Sequence, residues 1–179
     1  GMCNPPGGDW SGFSIIKENR EYRWLSLPRV GKGKRPDHLI KFNEIFSKPL
    51  LLLIESKEKS SNLENNVGNG LIEYIKNLMS FNPSVERQID ISNNQWGIST
   101  QKICPDNFEF LSAAAYLNSN AQDKDSIFKK TGCDLLFLMQ PGDIGWKIEI
   151  IPNNNKAEKF KNYILESIND MDNLDITLS

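Results

Sequence analysis

The chain has 179 residues; 39% are hydrophobic, and 23 acidic against 21 basic residues leave a net charge of −2. That length and apolar content suffice for one substantial core, and no stretch approaches the roughly 20 apolar residues of a bilayer span. A chain this near neutrality is not a uniformly basic nucleic-acid binder, so any contact with phosphate has to come from the distribution of its charge.

The N-terminus is polar and rich in Gly and Pro, without the apolar stretch of a secretion signal. Asn4-Pro5-Pro6-Gly7-Gly8 is an odd start for a domain. Residues 1–19 are therefore expected to form an N-terminal arm, the remnant of a longer protein. The folded domain is expected over 20–170, with an acidic tail over 171–179. Cys3, Cys104 and Cys133 are odd in number and lack metal-ligand spacing. They suit the reducing cytoplasm and argue against zinc.

Tyr22 to Leu27 reads as a first strand. The Gly-rich turn Arg29-Val30-Gly31-Lys32-Gly33-Lys34 leads to a second strand, Asp37 to Phe42, so the pair is a hairpin. From Lys17 to Arg35 there are seven basic residues against two acids, a local charge of +5. Arg29, Lys32, Lys34 and Arg35 are candidate phosphate contacts running into Asp37. The alternative reading of these charges is a solvated edge that resists strand pairing.

After a turn at Ser47-Lys48-Pro49 comes the unbroken apolar run Leu50 to Ile54. Such a run reads as a strand buried on both faces, which sets Glu55 and Lys57 at the rim of the core. Ser61-x-x-Glu64 is a capping box. Leu63, Val67, Leu71, Tyr74, Ile75 and Leu78 then recur at helical spacing. Gly68 and Gly70 weaken that helix by roughly 1 kcal/mol each relative to Ala, and close packing against the sheet would account for them.

Pro105-Asp106 with Glu109 precedes an Ala-rich stretch and predicts a helix from Asp106 to Asn118. Cys133 to Met139 and Trp146 to Ile151 predict two further strands around the turn Pro141-Gly142-Asp143. A last helix is expected over Lys156 to Ile168. The order of elements gives an α/β class, with a mixed central sheet flanked by helices.

Asp37 and Glu55 are far enough apart for one strand to end, turn and be followed by another. If those strands pair, both acids can face one cleft. Carboxylates suit Mg²⁺, a hard cation that takes oxygen ligands and keeps several waters. Lys57 lies two residues beyond Glu55, on the same face of a strand. Its ammonium can orient an attacking water and stabilise charge developing on a phosphate. His38 follows Asp37 and points to the opposite face, where a core or edge role suits it. Ser92-Asn93-Asn94-Gln95-Trp96-Gly97 is rich in amides; it reads as an ordinary loop, with reading of adenine edges as the alternative.

Pro36-Asp37, a second strand, the apolar strand and Glu55-Ser56-Lys57 together resemble the PD-(D/E)xK nuclease superfamily and, within it, the type II restriction endonucleases. The resemblance covers roughly residues 20 to 80. It implies a restriction-endonuclease-like core and a Mg²⁺-dependent endonuclease acting on double-stranded DNA. Asp37 and Glu55 would hold the metal, and Lys57 would act on the water or the phosphate. Members of the superfamily often carry a further acid on a helix before the first strand; Glu21 is the nearest candidate here. Many restriction enzymes are homodimers in which two sites cut two strands, which makes a homodimer the candidate assembly. Gly70, not Gln, stands four positions before Tyr74, which argues against the exonuclease-like branches. Two other readings stay open: a repair or mobile-element nuclease of the same fold, and a catalytically inactive member that binds DNA or protein.

Overall fold

The structure, a computed structural model, describes residues 11–17, 20–26, 36–81, 105–117, 123–143, 145–168 and 176–179; for 11–17, 20–26, 77–81, 168 and 176–178 it describes the backbone. The class is α/β with mixed strand pairing, as the order of elements suggested. The chain divides into two compact units, Gly1–Ile54 with Gly70–Phe110, and Glu55–Asn69 with Leu111–Ser179.

In the first unit, strands β1 (Ser11–Lys17), β2 (Arg20–Ser26) and β3 (His38–Phe42) and the apolar part of β4 (Leu50–Lys57) pair antiparallel in chain order. The expected hairpin is β2 and β3, with Tyr22 opposite Phe42 and Leu25 opposite Leu39. β1 lies inside the segment assigned to an N-terminal arm and pairs with β2 from Ser11↔Ser26 to Lys17↔Arg20. Leu50 to Leu53 are each no more than 1% exposed. Successive side chains of a strand point to opposite faces, so burial of all four means that both faces are covered. Helix α1 (Val67–Phe81), which belongs to this unit from Gly70 on, buries Leu71 and Ile75, one turn apart on a single face. Lys76 Nζ stands 5.4 Å from the centre of the Phe110 ring. The N–H of Glu109 donates to the carbonyl of Pro49 (2.9 Å).

In the second unit, β5 (Glu109–Leu117), which belongs to it from Leu111 on, pairs parallel with β6 (Leu135–Pro141); β7 (Trp146–Pro152) is antiparallel to β6, and β8 (Ile176–Leu178) is parallel to β7. β6 and β7 are the two strands expected there. β8 falls in the segment expected to be a tail. Helices α2 (Lys124–Thr131) and α3 (Asn155–Ile168) complete the described elements.

Two sequence expectations are corrected. The helix expected over Asp106 to Asn118 is absent from its described part, which ends at Leu117. Pro105–Asn107 is a short 3-10 turn, and the Ala-rich stretch is strand β5, with every residue from Phe110 to Tyr116 buried. The helix preference of Ala is worth only tenths of a kcal/mol per residue, and burial of a strand on both faces overrides it. The capping box at Ser61 also fails to start α1. Ser60–Asn62 is a 3-10 turn, Leu63 is extended, and Asn66 takes a left-handed conformation (φ +54°) before Val67 begins the helix. The Asn66 N–H is drawn off to the carbonyl of Lys130 (2.8 Å).

Helix α2 was not anticipated, although both its ends are written in the sequence. Asp123 caps it by accepting from the Asp125 N–H (3.1 Å), and Gly132 ends it at φ +64°. Gly68 does mark a close approach. A Cβ built there would stand 2.6 Å from the Gly132 carbonyl oxygen and 2.8 Å from Ser112 Oγ. The Asp134 carboxylate ties strand to helix: it accepts from the Ser112 N–H (2.8 Å) and from Asn154 Nδ2 (2.8 Å), while Asn154 Oδ1 takes the Ala157 N–H at the start of α3 (2.9 Å). Among the described residues, no helix is long and apolar enough to cross a membrane.

Candidate functional site

The apolar run that makes β4 a core strand ends on charge. Glu55 is buried, at 8% exposure, and its Oε1 is ion-paired with Lys57 Nζ. The pair follows from strand geometry, because residues two apart share a face. The Lys57 side chain is about one-third exposed and the Glu55 side chain 11%. The carboxylate is thus shielded from water while its cation reaches toward it. Water screens a shielded carboxylate less, so it attracts a cation more strongly than one in bulk solvent.

Asp37 is half-buried, one residue before β3, and its N–H donates to the carbonyl of Ile54 (2.9 Å). His38 is opposite Ile54 in the antiparallel register. Asp37 is therefore the residue before one member of that pair, and Glu55 the residue after the other. His38 is buried, as a core or edge role requires, and burial holds its imidazole below the usual pKa of 6.5, against a smaller upward pull from Asp37. The folded chain thus resists protonation there more than the unfolded chain does. Stability is expected to be lost as pH falls below 6.5, where the unfolded state binds more protons. A urea midpoint lower at pH 5.5 than at pH 7.5, with the difference reduced in His38→Gln, checks it. An unchanged pH dependence in the variant would remove His38 as the cause.

Burial pushes the Cys133 thiol up to about 11; hydrogen bonds from Thr131 and Ser112 pull it down, and the charges of Asp134 and Glu55 push it up. Cys133 is therefore a neutral thiol at physiological pH, a poor nucleophile and a poor metal ligand. Tyr116 and Glu149 flank Leu138 in one cross-strand row, and Lys124 Nζ bonds Glu149 Oε1 at 2.9 Å. Burial first, then the Glu149 charge, pushes the Tyr116 hydroxyl up to about 12. No spacing in the sequence announced this group, because its members come from a strand, a helix and another strand.

Of the residues singled out in the sequence, Glu55 and Lys57 are brought together. Glu21 sits in β2 opposite Ile16, and its side chain is outside the described residues. Arg29, Lys32, Lys34 and Arg35 lie outside them too, as do Cys3, Cys104 and the amide-rich segment Ser92 to Gly97. Among the described residues, no three His, Cys, Asp or Glu side chains group as a metal site. Compared with protein-family models, curated proteins and solved structures, the chain matches none.

Proposed function

We propose that this protein is a Mg²⁺-dependent endonuclease hydrolysing phosphodiester bonds of double-stranded DNA, on a restriction-endonuclease-like core. The observation that carries the reading is the shielded Glu55 carboxylate at the end of a fully buried strand, with Lys57 on the same strand face. The second acid of this reading is Asp37, whose N–H donates to the carbonyl of Ile54, the residue before Glu55 in the chain (2.9 Å). The donor set fits the ion, since Mg²⁺ is commonly held by one or two carboxylates, with waters and phosphate oxygens completing its shell.

In this reading Asp37 and Glu55 hold Mg²⁺ through oxygen, with Glu21 as a further acid. The bound ion supplies Lewis-acid chemistry to a phosphate and acidifies water. Lys57 orients the attacking water and neutralises charge that builds on the phosphate. Arg29, Lys32, Lys34 and Arg35 position the duplex through its backbone. A homodimer would let two sites cut two strands, and the working place is the cytoplasm.

The test is direct. Purified protein is expected to nick or linearise plasmid with Mg²⁺ and to stop when a chelator removes the ion. Preference for nicked or branched DNA would select the repair or mobile-element variant. Salt-sensitive DNA binding without cleavage in Mg²⁺ or Mn²⁺ would leave a binding protein and end the enzymatic reading.

A further inference from the structure

We infer that Lys57 competes with the divalent cation for the Glu55 carboxylate, so that ion binding itself turns the ammonium loose toward the substrate. The inference rests on the reading above for the identity of the ion. It stands on the Lys57 Nζ to Glu55 Oε1 ion pair and on the unequal exposure of its two ends.

A carboxylate that is 11% exposed is screened little by water, which strengthens its attraction for a cation. Lys57 and a divalent ion are both cations, and like charges at adjoining positions repel. A cation seated on Glu55 therefore weakens the hold of the carboxylate on the ammonium. The Lys57 side chain, one-third exposed, has solvent to move into. Its long, flexible stem lets the charge relocate without moving the strand. The displaced ammonium stays on the strand face that carries Glu55. One ionic exchange thus couples loading of the ion to arming of the lysine.

The measurement is Mn²⁺ affinity by titration calorimetry on the full chain, without DNA. Lys57→Gln removes the competing charge and is expected to bind Mn²⁺ about fivefold tighter, the equivalent of about 1 kcal/mol for a partly exposed pair. Lys57→Arg keeps the charge and should bind within about twofold of the unmodified protein. Equal or weaker binding by Lys57→Gln overturns the competition and leaves the nuclease reading standing. Cleavage that needs no divalent ion would sink the nuclease reading instead. A second readout avoids mutation: Mn²⁺ should speed acylation of Lys57 in the unmodified protein, followed by peptide mass spectrometry. An unchanged rate also overturns the inference.

Discussion

On the proposed function, replacing Glu55 with alanine is expected to lower Mg²⁺-dependent DNA cleavage by more than about 100-fold, beyond the 10- to 100-fold typical of changes to groups that only support a metal ligand. The charge is what matters, so Glu55→Gln, which keeps the size and the polar character, should fall as far. The fold should survive both changes. Lys57 is one-third exposed and can turn to water when its partner is gone, so loss of the pair itself costs about 1 kcal/mol. Activity and melting temperature therefore separate: the first collapses while the second falls by only a few degrees, roughly 2–4 °C per kcal/mol lost. Asp37→Ala is expected to behave alike. Cleavage at the unmodified rate by Glu55→Gln or Asp37→Ala, under matched Mg²⁺, would strip that carboxylate of its role.

The largest structural effect is expected at Gly68. Helix propensity alone says that Gly68→Ala should stabilise α1 by about 1 kcal/mol. The structure reverses the sign. An added Cβ would meet the Gly132 carbonyl oxygen at 2.6 Å and Ser112 Oγ at 2.8 Å. The first of these is backbone, held in a left-handed turn at φ +64° that closes α2 with a 2.8 Å bond to Phe128. It cannot swing aside as a side chain would. Overpacking of this kind costs about 1–3 kcal/mol, which for a chain of this size lowers the melting temperature by roughly 2–12 °C. An alanine variant as stable as the original would show that Gly132 gives way, and that Gly68 serves helix flexibility alone.

The strand and face placements that the fold reproduces share one property: their signal is local. The run Leu50 to Ile54 is apolar at every position, and only a strand covered on both faces suits it. Glu55 and Lys57 then share a face because strands alternate, and the structure pairs them. The Asp37-to-Phe42 and Tyr22-to-Leu27 segments announced a hairpin through their turn residues, and β2 and β3 form it. The Ala-rich stretch misled because Ala113, Ala114 and Ala115 suit a helix in isolation. Their place in a buried strand is set by neighbours distant in sequence, as the parallel register Ala113↔Leu135 to Leu117↔Met139 shows.

The amino-acid order by itself determined the α/β class, the buried strand, and the charged tip on which the functional reading stands, because strand periodicity and hydrophobic burial are properties of neighbouring residues. Only the tertiary structure decided that residues 109–117 extend rather than coil, that Gly68 is required by a backbone contact, and that Asp134, Ser112 and Asn154 join three elements through one carboxylate. Each depends on groups far apart in the chain, and folding alone brings them within hydrogen-bonding or van der Waals reach.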